Sequence, residues 1–324
     1  MRVLVTGATG FLGSSIVAEA IGAGHEVRVL VRTTSNLDYL AGLDVERAFG
    51  ELRDPDSLQA AVEGVEGVIH SGGLINAPSE DGYMAVNRDG TRSLAEIAAR
   101  RDVRRFVYVS SLAAGGPSLD GQPVTEDMAP RPVTPYGRSK LAGESAAFDA
   151  GGVRMAVSAI RPPVIYGPRD YGTLPFYKIA RLGLAVRVGR RDRFADMTYV
   201  SDVARACVIA LKPEAAGRVY YVPGREAYSW FGFQEIVGRA LGKARLTHLS
   251  VPEFALHVAG AIGELSLKLG VKGALDRHKV VEMLQPAWVS SGARIAQDLG
   301  HTPQVSAEVG VARAVEWYRA HQWI

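Results

Sequence analysis

Val- and Ile-rich apolar runs bounded by Gly, Pro or Asp recur at 2–6, 26–32, 44–49, 67–70, 104–109 and 153–160. Most are separated by stretches whose apolar positions follow helical spacing, so the pattern predicts a βαβ rhythm. Near-continuous runs such as Phe106-Val107-Tyr108-Val109 suit a parallel sheet buried on both faces. Right-handed crossovers assemble such strands into a doubly wound α/β domain of the Rossmann type. After Arg161-Pro162-Pro163 the rhythm breaks into glycine- and proline-punctuated pieces, followed by helical patterns near 231–241, 253–269 and 305–320. A smaller, mostly helical second lobe is therefore expected. The strand-like run 219–222 and the helix-like run 201–211 keep the earlier character and bring the chain back to the sheet. The expected division is 1–165 with returns near 196–224 and 288–303 for the dinucleotide-type domain. The substrate lobe takes 166–195, 225–287 and 304–324.

Composition narrows the class. Of 324 residues, 47% are hydrophobic and 22% charged, a globular balance that excludes a disordered chain and a small stapled scaffold. The net charge of +3 is spread along the chain, which gives no sign of nucleic-acid binding. The one cysteine, Cys207, lies in an apolar run, so no intramolecular disulfide forms and a reducing, cytoplasmic setting is expected. The amino terminus reaches Gly7 after too few apolar residues for a secretion signal. His257, Glu264 and Lys268 interrupt the run 254–269, so no membrane span is expected. The seven histidines are scattered without metal-ligand spacing, so no metal is expected either.

The first chemistry lies at Thr6-Gly7-Ala8-Thr9-Gly10-Phe11-Leu12-Gly13, between the first strand and a helical pattern. Glycines allow a tight turn and close approach to a pyrophosphate, and the helix start offers free N–H groups from Phe11 and Leu12. With the leading Thr6, this G-x-x-G-x-x-G spacing resembles the extended branch of the short-chain dehydrogenase/reductase superfamily, the NAD-dependent epimerase/dehydratase family. The second strand ends Val31-Arg32-Thr33, without the carboxylate that binds the ribose hydroxyl of NAD; Arg32 suits the 2′-phosphate of NADP, with NAD as the alternative. Glu51-Leu52 matches the family's adenine contact, with Glu for the usual Asp. Ser71, Gly72 and Gly73 match the strand end running under the cofactor, while the preceding His70 is read as structural.

Tyr136 and Lys140 stand at i and i+4, neighbours on one helix face if the helix starts at Pro135. A nearby ammonium favours the phenolate, so Tyr136 is a candidate proton-transfer group. Strand 104–109 ends in Ser110-Ser111, hydroxyls at the carboxyl edge where open α/β sheets bind ligands. The resemblance makes Ser111 the residue holding the substrate oxygen, with Ser110 as fallback. It also makes Lys140 a ribose ligand, has Asn87 orient that lysine through water, and places Pro162 and Val164 beside the nicotinamide.

Closest in pattern are the dihydroflavonol-reductase and 3β-hydroxysteroid-dehydrogenase-like members. The expectation is an NADP(H)-dependent enzyme moving a hydride to or from an apolar ketone or aldehyde. The alternative is an NAD-dependent sugar-nucleotide epimerase or dehydratase, for which Arg187, Arg190, Arg191 and Arg193 form a candidate diphosphate clamp. Candidate pocket residues are Leu74, Met84, Thr134, Tyr166, Phe176 and Tyr177. A homodimer is implied only by analogy within the superfamily.

Overall fold

A computed structural model describes residues 1–268 and 277–324. The chain opens with six parallel strands: β1 (Arg2–Thr6), β2 (Glu26–Val31), β3 (Val45–Phe49), β4 (Gly67–His70), β5 (Arg105–Val109) and β6 (Ala156–Arg161). Three strands then leave this sheet, β7 (Val164–Tyr166), β8 (Leu184–Val188) and β9 (Phe194–Tyr199), before β10 (Arg218–Tyr221) returns to its edge. The resulting seven-stranded order is β10-β6-β5-β4-β1-β2-β3, parallel throughout.

Alternation along the strands divides the apolar side chains between two cores. Val3, Val5, Val29, Ile69 and Val107 face one, with helices Phe11–Gly22 and Val200–Ile209. Leu4, Leu30, Val68, Phe106 and Tyr108 face the other, with helices Pro55–Val62 and Thr91–Arg100. The near-continuous apolar runs of the sequence follow from this two-sided burial. Strand order reverses at β1, flanked by β2 and β4, and the crevice beyond the carboxyl ends of β1 and β4 is the switch point at which such sheets take ligands.

The second lobe is mostly helical, as expected, and adds short strands to its helices. Strand β11 (Ala227–Ser229) pairs antiparallel with β9, β13 (Ala287–Trp288) and β7 pair parallel with it, and β12 (Thr247–Val251) pairs with β8. Helices Leu174–Arg181, Trp230–Ala240 and Ala307–Ala320 pack with β7 and β9 around a third apolar cluster. The run 254–269 is indeed helical, as Glu253–Lys268, with Leu269 outside the described residues. No helix among the described residues is long and apolar enough to cross a membrane.

Candidate active site

The glycine turn folds as its spacing requires. Gly7 sits at φ 69°, and a Cβ there would come within 2.7 Å of the Ser71 carbonyl. A Cβ on Gly13 would fall 2.0 Å from the Gly7 oxygen. Gly10 starts the helix Phe11–Gly22 and supplies no side-chain cap, so the first amides, those of Phe11 and Leu12, point unpaired from the helix end. A helix start of this kind suits an anion, and Thr9 lies beside it.

Below the turn, a chain of hydrogen bonds ties β1, β4 and the following helix together. The Gly72 N–H donates to Thr6 Oγ1 at 3.1 Å, and Thr6 Oγ1 lies 2.6 Å from His70 Nδ1. His70 Nε2 lies 3.0 Å from Thr91 Oγ1, which donates to the Asn87 carbonyl at 2.7 Å. His70 is fully buried, and desolvation, reinforced by Lys140, pushes its pKa down to about 3. The ring is neutral and structural.

The helix Pro135–Gly151 begins at Pro135, capped by Thr134, and carries Tyr136 and Lys140. Burial pushes the Tyr136 phenol well above its ordinary pKa; a hydrogen bond with Ser111 pulls it back, while Glu282 and Tyr83 push it further up. Lys140 is buried, donates to the Val109 carbonyl at 2.6 Å and lies 4.4 Å from the centre of the Tyr108 ring. Its pKa is pushed down to about 7 by desolvation, against the pull of Glu144. The expected help of the ammonium to the phenolate is thus absent from this arrangement, because the ammonium faces the end of β5.

Ser111 caps the short helix Leu112–Gly115, accepting from the Ala113 N–H at 3.1 Å, and still meets Tyr136. Ser110 is committed elsewhere: its hydroxyl donates to Glu144, which forms a buried bidentate pair with Arg161 at 2.8 and 2.7 Å. Arg161 also donates to the Tyr221 hydroxyl at 2.8 Å, so this network braces β5, β6 and β10 behind the site. Neither Glu144 nor this network was anticipated, since its members are far apart in sequence.

Other expectations need correction. Both hydrogens of the Asn87 amide are occupied, by the Leu74 carbonyl and Ser139 Oγ at 2.9 Å each, and its oxygen accepts from the Leu74 N–H at 2.7 Å. Asn87 therefore pins the strand-end loop carrying Gly73, whose Cβ it would crowd at 2.9 Å. It sits in the π-helical segment Ala85–Gly90. Tyr166 and Tyr177 are not pocket residues: each is buried in the third cluster, packed edge-on against Phe233 and Tyr318 respectively. Thr134 spends its hydroxyl on the helix cap and on Glu282. Phe176 is half-buried against Trp230. Leu74 is exposed and Met84 half-buried, beside the site.

On the cofactor side, Arg32 is exposed at the end of β2 and makes no ion pair among the described residues; Ser35 Oγ accepts from its N–H at 3.1 Å. Glu51 is exposed, while Leu52 packs under Gly72 and Gly90. The Pro162 carbonyl accepts from the Leu112 N–H at 2.8 Å, and Val164 lies half-buried in β7. One basic residue was not foreseen: Arg169, at φ 74°, donates to Ser14 Oγ at 3.0 Å and stacks 4.7 Å from the Tyr39 ring, joining the segment after β7 to the glycine-turn helix. A non-glycine residue in that conformation has no signature in residue type. The arginine cluster is partly spent: Arg187 pairs with Asp192, and Arg193 pairs with Glu253 and bonds two carbonyls.

Residues 3–222 match the model of the NAD dependent epimerase/dehydratase family. The chain is 34% identical to a ceramide reductase of Caulobacter vibrioides, over 99% of this chain and 96% of that one. It is 30% identical to a 2-alkyl-3-oxoalkanoate reductase of Stenotrophomonas maltophilia (97% and 98%) and to a 3β-hydroxysteroid dehydrogenase/Δ5→4-isomerase of Mycobacterium tuberculosis (98% and 90%). Among solved structures, gox2253 superposes with a TM-score of 0.82 at 27% identity, covering 99% of this chain and 98% of that one. The dTDP-glucose 4,6-dehydratase DesIV of Streptomyces venezuelae, with NAD bound, superposes with a TM-score of 0.81 at 24% identity, covering 100% and 98%.

Proposed function

The chain belongs to the NAD dependent epimerase/dehydratase family, and from that premise we propose that it is an NADP(H)-dependent oxidoreductase acting on an apolar ketone or aldehyde, or the corresponding alcohol. The relatives named as reductases and dehydrogenases support an NAD(P)-dependent oxidoreductase, over nearly the whole chain. The observation that carries the proposal is the Ser111–Tyr136 hydroxyl pair at the carboxyl end of β5, one helical turn from buried Lys140.

The residues present fit a dinucleotide: Gly7 and Gly13 leave no room for a Cβ, and the uncapped helix start is oriented for phosphate. When bound, the nicotinamide supplies or accepts the hydride. In reduction, Ser111 and Tyr136 direct two hydroxyl donors at one carbonyl oxygen, and Tyr136 gives that oxygen its proton. Lys140, one helical turn from Tyr136, would hold the ribose hydroxyls at the nicotinamide end of the cofactor. Arg32, free of ion pairs among the described residues and without an acid at the strand end, favours the 2′-phosphate of NADP. For the sugar-nucleotide reading, the diphosphate clamp is weakened because Arg187 and Arg193 are already paired within the protein.

The test starts with the nucleotide released on denaturing the purified protein, followed by titration of apo protein with NADPH and NADH. Little retained nucleotide and preference for NADPH are expected, with Arg32→Asp removing the preference. Retained stoichiometric NAD would overturn the NADP reading and favour an epimerase or dehydratase. Turnover is then sought on a long-chain 2-alkyl-3-oxoalkanoate and a 3-oxosteroid. Tyr136→Phe should lower kcat by ~10²–10⁴-fold with dinucleotide affinity kept; an unchanged rate would exclude the proton path.

A further inference from the structure

The second lobe touches the catalytic helix at one carboxylate that the mechanism above does not use. Helix Arg277–Met283 brings Glu282 to the helix start that carries Tyr136. Thr134 Oγ1 accepts from the Gly137 N–H at 3.2 Å and donates to Glu282 Oε1 at 3.0 Å. One hydroxyl therefore caps the catalytic helix and fastens the carboxylate to it. Glu282 is held from its own side as well: its carbonyl accepts from Trp288 Nε1 at 2.8 Å, and Oε2 accepts from Lys279 Nζ at 2.9 Å. The Glu282 side chain is 13% exposed and that of Lys279 61%. Solvent screens the lysine charge far more than the carboxylate's, so the pair leaves net negative potential toward the site.

The groups facing the Tyr136 phenol from each packed element are Ser111 at the end of β5, Tyr83 at a ring distance of 6.1 Å, buried Tyr108 in β5, and Glu282. Lys140, on the same helix, faces the Val109 carbonyl. Among these, Glu282 is the fixed charge contributed by the second lobe. Reduction adds a hydride from the reduced nicotinamide to the carbonyl carbon and the Tyr136 proton to the oxygen. Oxidation reverses both transfers and starts from the phenolate, the form that a neighbouring carboxylate penalises.

We propose that Glu282 is a positioning residue through which the second lobe, by way of Thr134, holds the start of the catalytic helix and sets a carboxylate beside Tyr136 that raises the cost of its phenolate form. This rests on the reading of Tyr136 as the proton-transfer group. It also gives that lobe a part in the chemistry beyond shaping a pocket.

The test places 3,5-difluorotyrosine, whose ring fluorines lower the phenol's titration, at position 136 of the full chain and follows its absorbance against pH. It needs neither cofactor nor substrate, so its failure is distinct from failure of the proposed activity. In this background Glu282→Gln keeps an acceptor for Thr134 and removes the charge. The midpoint should fall by ~0.5–1 pH unit, about 3–10-fold in proton affinity. Glu282→Asp should restore most of it, and Lys279→Gln, whose charge solvent already screens, should move the midpoint little. Superimposed curves for the Glu282→Gln and parent proteins, with equal melting temperatures, overturn the proposal. If Glu282→Gln does not fold, Glu282→Leu, which also removes the charge, is read in its place, and a curve superimposed on the parent's overturns the proposal.

Discussion

His70 shows what a buried polar residue at a site's edge does when it takes no part in the chemistry. With Nδ1 facing Thr6 and Nε2 facing Thr91, the neutral ring completes a chain from the Gly72 amide to the Asn87 carbonyl. Protonation disturbs that order and places a charge where no water reaches it. The folded-state pKa is about 3 and the ordinary value 6.5, so as pH falls the unfolded chain takes up the proton first. Stability is intact above 6.5 and declines as pH drops towards 3, by at most ~1.4 kcal/mol per pH unit from this one group. Buried His301, pushed down to about 4, acts in the same direction. Urea midpoints measured from pH 8 to 4 should therefore fall. His70→Gln should start lower at pH 8 and decline less steeply; a slope equal to that of the parent protein would remove His70 as the source.

The elements differ in how far they could be read in advance. Strand β1, the turn and the helix after it were legible because three local signals coincide within some twenty residues: an apolar run, glycine spacing, and a change to helical period. The Tyr136 helix was legible for the same reason, with Pro135 marking its start. Strands β7, β11 and β13 were not, because they are short, nor was β9, because its pairing joins residues tens of positions apart. Tyr166 and Tyr177 failed as pocket residues on the same ground: residue type cannot say which side of an unforeseen strand or helix faces inward. Where a local signal is strong, its consequence is sharp. Gly13→Ala puts a methyl group against the Gly7 carbonyl, which is backbone and cannot step aside. It should cost ~1–3 kcal/mol of stability and weaken dinucleotide binding at least tenfold by displacing the helix start. Gly22→Ala, at the far end of the same helix with open space around it, is the control and should leave binding unchanged; calorimetric melting and a dinucleotide titration of both variants decide it.

At the scale of the molecule, the two lobes share their cores. Leu12 and Ile165 pack against both the cluster under the seven-stranded sheet and the cluster around β9. The Tyr318 hydroxyl, on the carboxyl-terminal helix, donates to the Gly167 and Asp170 carbonyls just after β7. Buried Asp202 accepts from the Gln304 and Val305 amides, fastening the entry to that same helix onto Val200–Ile209. Neither lobe is a continuous stretch of chain, so separating them would tear strands and core contacts from both. All four tryptophans, Trp230, Trp288, Trp317 and Trp323, lie beyond the seven-stranded sheet, whereas the glycine turn lies at its centre. Tryptophan fluorescence thus reports unfolding of one lobe, while dinucleotide binding stabilises the other. If the shared core makes them one cooperative unit, urea unfolding followed by fluorescence and by far-ultraviolet dichroism should coincide. Dinucleotide at 100 times its Kd should then stabilise both signals by about 2.7 kcal/mol. A fluorescence transition left in place while the dichroism transition moves would show that the lobes unfold separately, and that Leu12 and Ile165 form contacts too weak to couple them.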